Sequence, residues 1–90
     1  MANTIKIDFN SQIWKEGKMY VAYTRELDIS SCGGTKEKAK KNLREAVEGF
    51  LEEAERMGTL QNILREGGFV DGEQMWQAPK IFIERLSIAL

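Results

Sequence analysis

The residues that first suggest chemistry are Cys32, Gly33, Gly34 and Thr35, which precede a lysine-rich stretch at residues 36–41. Glycines that lead into a helix can present backbone N–H groups to a phosphate, and lysines would strengthen such an anion site. A P-loop, however, requires Gly, four residues and then Gly-Lys-Ser/Thr, and the spacing here is different. We interpret the two glycines as a corner between a strand and a helix, with positive φ at the turn. An anion-binding role is the alternative.

The amino-acid composition excludes several kinds of catalytic site. The chain has no histidine and one cysteine, Cys32. Ser-His and Cys-His nucleophile pairs and histidine metal sites are therefore excluded, and no intramolecular disulfide can form. No spacing of carboxylates predicts a metal site. We expect no enzymatic activity, no metal and no cofactor.

Chain length and net charge constrain the number of domains and the kinds of partner. Ninety residues with 42% apolar side chains predict one domain, residues 1–90, with a thin core that a second copy would help to cover. The net charge of −1 argues against general nucleic-acid binding. The sequence shows neither a long apolar run nor a signal-peptide pattern, and the single thiol fits a reducing compartment. We expect a cytoplasmic protein that does not enter a membrane.

Hydrophobic periodicity predicts the elements that would position these residues. Alternation at residues 4–9 and an apolar run at residues 19–24 indicate two strands joined through a turn around Gly17, and residues 27–34 form a weaker edge strand. A helix is expected from the Thr35 cap to the Gly58 stop, followed by a short helix, a loop at 70–78 and a last strand at 80–90. The predicted fold is α+β, in the order β-β-β-α-α-β.

The long predicted helix has an apolar stripe and an acidic row. The stripe contains Ala39, Leu43, Ala46, Val47, Phe50, Leu51, Ala54 and Met57. The row contains Glu45, Glu48, Glu52 and Glu55, which lie opposite the stripe at spacings of three and four residues. Like charges at this spacing repel one another slightly, so the row favours binding of a basic partner. A solvated, salt-bridged face is the alternative.

Residues 5–58 also resemble a known family. The matching residues are Tyr20, Val21, Ala22, Glu26, Leu27, Gly33, Thr35, Ala39, Asn42, Leu43, Glu45, Ala46 and Gly49. Together they resemble the aromatic-Val-Ala strand, the Glu-Leu turn, the Gly-x-Thr corner and the helix of HicB-like antitoxins. Two positions depart from the pattern: Arg25 replaces a usual proline, and Lys38 stands where an acid would complete a capping box.

The resemblance implies both a fold and a function. The implied fold is part of a ribonuclease H-like sheet with the long helix on one face. The implied function is neutralisation of a small, basic, mRNA-cleaving HicA-type toxin. The chain shows no C-terminal DNA-binding domain of the kind that full-length members usually carry, so DNA binding is not expected. The alternatives are an orphan interaction domain without a toxin, or a metal-dependent hydrolase remnant to which Asp8 would contribute.

Two surfaces are candidates for the partner. One is the acidic row of the long helix. The other is the second face of the sheet around Tyr20 and Ala22, because the strand at 19–24 is apolar on both faces. The same two-sided strand and the thin core predict a homodimer or a higher homo-oligomer.

Overall fold

The computed structural model describes residues 5–72 and 74–90. In chain order its elements are β1 (Lys6–Asp8), β2 (Gln12–Glu16), β3 (Met19–Thr24), β4 (Ile29–Gly33), α1 (Lys36–Met57), α2 (Leu60–Glu66), β5 (Val70–Gly72) and β6 (Met75–Gln77). The strands form two three-stranded sheets, in the orders β1–β6–β5 and β2–β3–β4. The α+β class and the two helices are confirmed, but the strand order differs from the prediction.

The bounds of α1 follow from its two caps. The hydroxyl oxygen of Thr35 accepts a hydrogen bond from the backbone N–H of Lys38 at 3.0 Å, which satisfies one free donor of the first turn. Gly58 ends the helix in the left-handed region at φ 77°, and its N–H donates back to the carbonyls of Ala54 and Glu55. The helix predicted between Thr35 and Gly58 is confirmed.

The core lies between α1 and the β2–β3–β4 sheet, where α1 packs chiefly on β4 and β3. It continues through α2 to Phe69 and Trp76. The buried residues of α1 are Ala39, Leu43, Val47, Leu51 and Ala54. The predicted stripe was too wide: Ala46 is exposed, and Phe50 and Met57 are 40% and 66% exposed. One helix face packs on one sheet, and the flanking positions remain in solvent.

Gly33 explains the corner between β4 and α1. A Cβ atom at Gly33 would lie 2.6 Å from the backbone nitrogen of Ala39, so only glycine permits this approach of strand to helix. Neither Gly33 nor Gly34 has a positive φ, so the predicted reason for the glycines was wrong. The amide of Asn42 also donates to the carbonyl of Cys32 at 2.8 Å, which ties α1 to the end of β4.

The first hairpin joins β3 to β2 and not to the strand predicted at residues 4–9, so the predicted pairing was wrong. β2 and β3 pair antiparallel from Gln12–Tyr23 to Glu16–Met19, around a two-residue turn at which Gly17 has φ 59°. The sequence did not predict β2, because only Ile13 and Trp14 interrupt its polar residues. Among the described residues, neither helix has the length and apolar composition needed to cross a membrane.

The C-terminal part of the chain differs most from the prediction. Val70–Gly72 and Met75–Gln77, which lie in the predicted loop at 70–78, form the antiparallel strands β5 and β6, and β6 pairs in parallel with β1 from Lys6–Met75 to Asp8–Gln77. Residues 80–90, predicted as the last strand, belong to no strand of the structure. Ile83 is 71% exposed. The apolar, β-branched composition of this segment is typical of a strand, but the segment has no strand partner in the structure.

Candidate functional site

A groove of about 610 Å³ lies between the first strand and the C-terminal half of α1. Its lining residues are Ile5, Lys6, Ile7, Asp8, Phe9, Arg44, Val47, Glu48, Leu51, Glu52, Glu55 and Leu60. Val47 and Leu51 are only 1% and 9% exposed, and Ile7 packs partly buried against the same core. The groove therefore has an apolar floor formed by the edge of the core.

The spacing of α1 places acidic side chains along one wall of the groove. Val47, Leu51 and Ala54 are buried beneath the helix. Each is followed by a glutamate, and successive residues are about 100° apart around the helix axis. Glu48, Glu52 and Glu55 therefore lie together on the flank next to the groove, where all three are exposed. We call these three residues the acidic wall.

The charge of the groove is negative. Its lining holds four acidic and two basic side chains, a net charge of −2. Within residues 5–72 and 74–90 the one ion pair joins Arg56 to Glu53, on another part of α1. The acidic wall thus forms no ion pair in the described chain, and neighbours such as Glu48 and Glu52 repel each other slightly. A basic ligand would relieve this repulsion.

The opposite wall of the groove is strand β1 with its flanking residues. β1 is the terminal strand of its sheet and pairs with β6 along one edge. Its other edge presents backbone N–H and C=O groups without a strand partner in that sheet. β1 is therefore able to accept an additional strand.

The structure divides the residues predicted as partner-binding into three groups. Glu48, Glu52 and Glu55 line the groove together, whereas Glu45 is exposed on α1 outside it. Ala22 is 0% exposed and belongs to the core, and Tyr20 packs partly buried against that core. The prediction that Tyr20 and Ala22 form an open sheet face is wrong, because this is the face that α1 covers.

The open face of the β2–β3–β4 sheet carries the alternate residues. Trp14 pairs with Val21 across the strands, and Val21 pairs with Cys32. Trp14 also contacts Tyr23 in an edge-to-face arrangement, with ring centroids 6.4 Å apart. Tyr23 donates a hydrogen bond to Asp28 at 2.9 Å, and this bond, with partial desolvation, raises the pKa of the Tyr23 phenol above 10.0. The hydrogen bond favours the protonated phenol.

A polar cluster that the sequence did not reveal joins three distant segments. One carboxylate oxygen of Glu26, Oε2, accepts hydrogen bonds from the backbone N–H of Asn10 at 2.8 Å and from the hydroxyl of Thr24 at 3.3 Å. The side-chain amide of Asn10 donates to the carbonyl of Pro79 at 2.8 Å. The second oxygen of Glu26, Oε1, is buried without a partner in the described chain. This cluster holds the chain in place at Pro79.

The described residues contain no candidate metal site. Among residues 5–72 and 74–90, no three Cys, Asp or Glu side chains form a group able to hold a metal ion. Asp8, the carboxylate considered for a hydrolase, lies exposed on β1 and lines the groove.

The groove residues that the sequence missed are Ile5, Ile7, Phe9 and Leu60. Their apolar pattern indicated a face that packs in the core. The sequence did not reveal the parallel pairing of β1 with β6, or that these residues line a groove beside α1. Comparison with protein-family models, with curated proteins and with solved structures finds no match for this chain.

Proposed function

We propose that this chain is a non-enzymatic, cytoplasmic protein-binding module of the HicB-like antitoxin type, which neutralises a small, basic, mRNA-cleaving HicA-type toxin. One observation carries the proposal: the groove combines an apolar floor, an acidic wall without ion pairs and a strand with a free edge. These are the three features that recognition of a basic protein through a strand or helix would use.

Each feature of the groove has its own physical role. The acidic wall attracts a basic partner and accelerates the encounter, an effect that weakens with salt. The floor at Val47 and Leu51 supplies apolar contact once the partner has docked. The free edge of β1 offers main-chain hydrogen bonds to a strand of the partner. The acidic wall thus attracts the partner, the apolar floor contacts it, and the free edge of β1 sets the register of its strand.

The resemblance to HicB-like antitoxins agrees with the strand arrangement in one respect. β1 and β2 follow each other closely in the chain and pair on opposite sides, β1 with β6 and β2 with β3. We infer that they act as one bent strand, which would make a mixed sheet in the order β4–β3–β2/β1–β6–β5. Such a sheet with α1 on one face is the partial ribonuclease H-like arrangement that the resemblance implies.

Charge reversal of the acidic wall tests the proposal. The triple variant Glu48→Lys, Glu52→Lys, Glu55→Lys changes three exposed side chains, so the free energy of unfolding should change by only about 0.5 kcal/mol per site. Binding to the toxin should weaken at least tenfold, mainly through a slower association rate measured at low salt. The rate should also lose most of its dependence on salt.

A matched control separates the groove from overall charge. Glu37, Glu45 and Glu66 are exposed and lie outside the groove. The variant Glu37→Lys, Glu45→Lys, Glu66→Lys has the same net charge and should keep most of the association rate. Equal losses in the two variants would show that only net charge matters, and unchanged binding in the first would exclude the groove as the site.

The partner for these measurements is to be sought in the reading frames adjacent to this chain, as a small basic protein. A neighbouring protein with a conspicuous histidine supports the antitoxin proposal, because the chain itself has none. If the neighbouring frames encode no such protein, the orphan interaction domain becomes the better interpretation.

A further inference from the structure

Residues 80–90, which we call the arm, extend away from the body of the protein. Five large apolar side chains of the arm are 71% or more exposed: Phe82, Ile83, Leu86, Ile88 and Leu90. In the described chain, no backbone hydrogen bond outside the helices and strands involves the arm. The radius of gyration is 15.2 Å, compared with about 12 Å for a compact chain of this length. The arm is an apolar strand-like segment without a partner.

The arm starts from a fixed point. The backbone N–H of Ala78 donates to the carbonyl of Asp8 at 3.0 Å, and the amide of Asn10 donates to the carbonyl of Pro79 at 2.8 Å. The parallel alignment of β1 with β6, which starts at Lys6–Met75, therefore continues as far as Asn10 and Pro79. After Pro79 the arm diverges from the sheet, whereas the chain after Asn10 continues into β2.

The strand that the arm would next meet in this alignment has a free edge. β2 is the terminal strand of its sheet and pairs only with β3. The same offset of 69 residues, taken from the Asn10–Pro79 contact, would place residues 82–85 beside residues 13–16. The side chains of Ile13 and Trp14 are 36% and 41% exposed, so nothing covers them in the described chain.

The side chains of these two segments are complementary at every position. Phe82 would lie beside Ile13 and Ile83 beside Trp14, which pairs apolar with apolar. Glu84 would lie beside Lys15 and Arg85 beside Glu16, which pairs opposite charges. Neighbouring pairs of these kinds stabilise strand pairing, and a slip by one residue in either direction would lose both charge pairs.

We propose that the arm adds as a parallel strand to the free edge of β2 in a second copy of this chain, so that two copies exchange arms. The chain's own β2 is not the acceptor in this structure, because the arm lies away from it with Phe82 84% exposed. Exchange of an identical segment between two copies reuses the same contacts and closes with two-fold symmetry. Each copy then gives one arm and receives one.

The surface available is sufficient for a stable dimer. Full burial of an Ile, Leu or Phe side chain removes about 60–120 Å² of apolar surface from water. If all five apolar side chains of each arm are buried with an equal area of the surfaces they cover, the two arms remove about 1,200–2,400 Å² from water, and stable specific interfaces bury about 1,200–2,000 Å². Phe82 and Ile83 beside β2 supply part of this area, and Leu86, Ile88 and Leu90 reach it only by packing on the second copy beyond Glu16. Pairing of the free edge of β2 also removes a site of uncontrolled strand addition.

A disulfide between neighbouring strands tests the register. The variant Lys15→Cys, Glu84→Cys, made with Cys32→Ser, places two thiols on adjacent strands about 4.8 Å apart, within the range that a disulfide spans. Mild oxidation should give a covalent dimer on a non-reducing gel. A matched control, Lys15→Cys with Arg85→Cys and Cys32→Ser, directs the second thiol to the opposite face and should link at least tenfold less.

The cross-linking result decides between three arrangements. A covalent dimer supports exchange. An intramolecular disulfide in a monomer would show that the arm folds onto its own β2, and equal linking in both variants or none in either would show that the arm does not pair at this register. Each of the last two results overturns the proposal.

Light scattering provides an independent measurement. At micromolar concentration the intact chain should have about twice the mass of the 10.3 kDa monomer. Phe82→Asp should give a monomer with unchanged helix content and melting temperature at low concentration, since Phe82 is 84% exposed on its own chain. Met57→Asp, at an apolar residue of α1 that is 66% exposed, is the matched control and should remain dimeric. A monomeric parent chain or a dimeric Phe82→Asp variant would contradict the exchange.

This inference does not rest on the proposed function. The arm is expected to bind at β2, whereas the toxin is expected to bind in the groove between β1 and α1. The disulfide and the mass are measured without a toxin, so either proposal can fail while the other stands.

Discussion

Helix α1 and the arm are both rich in large apolar residues, but they have opposite surroundings. Leu43 in α1 is 1% exposed, whereas Leu86 in the arm is 86% exposed. The helix has a cap at each end and a spacing of apolar residues that matches one face of a neighbouring sheet. The large apolar residues of the arm lie exposed in the described chain. Apolar composition alone therefore does not determine whether a segment packs within its own fold.

The largest expected effect comes from truncating equivalent side chains in the two regions. Leu43→Ala should lower the free energy of unfolding by about 2–5 kcal/mol, because it leaves a cavity in the core. Leu86→Ala should change it by no more than about 0.5 kcal/mol, because the side chain is already in water. Denaturant unfolding at a concentration at which the chain is monomeric measures both. Similar losses for the two variants would mean that the arm packs on its own body.

Gly33 and Gly49 allow a second comparison, between the corner that precedes α1 and the interior of the helix. Gly33→Ala should destabilise the fold by about 1–3 kcal/mol, because the new Cβ would overlap the backbone at Ala39. Gly49→Ala should stabilise it by about 1 kcal/mol, because Gly49 lies exposed in the helix interior with nothing within 4 Å of a new Cβ. Thermal unfolding of both variants provides the measurement.

Gly34→Ala is the control for the corner, since an added Cβ there meets no atom within 4 Å and φ is not positive. The Gly34→Ala substitution should leave the free energy of unfolding almost unchanged. A loss as large as that of Gly33→Ala would indicate that backbone freedom, and not close approach of strand and helix, explains the two glycines.

The smallest expected effect is the pH dependence of the Tyr23–Asp28 hydrogen bond. The folded state raises the pKa of Tyr23 above 10.0, so the bond contributes stability below about pH 10 and loses it as the pH rises through the folded pKa. The difference in unfolding free energy between the parent and Tyr23→Phe should therefore be constant from pH 7 to 9 and decrease above pH 10. Urea unfolding of both proteins at several pH values measures this difference in unfolding free energy. A difference that grows at high pH would contradict this assignment.

The parts of the fold that the sequence predicted are those with local signals. Thr35 and Gly58 are the two caps of α1, and the 3.6-residue period lies between them, so the helix could be placed to the residue. β3 is an apolar run that follows the turn signal at Gly17, and it was predicted with its correct bounds. By contrast, β1 and β6 are three residues long and pair over a large separation in the chain, which short patterns cannot reveal.

The candidate site was predictable only on its helical side. The spacing of Glu48, Glu52 and Glu55 follows from helix geometry, so the acidic wall could be found from the sequence. The other wall required the position of β1, and the sequence did not show that α1 covers Ala22. For the arm, the predicted last strand at residues 80–90 was wrong, because these residues belong to no strand of the structure.

The parallel pairing of β1 with β6 has a consequence for the order of folding. β1 meets its partner only after residues 75–77 have been made, some 69 positions later, as the separation of the adjoining Asn10–Pro79 contact shows. At about 5–20 residues per second, synthesis of that interval takes roughly 3 to 14 s. The β2–β3 hairpin can close within microseconds during this time, whereas β1 has to wait. β1 is thus made before β2 and β3 but is paired after them.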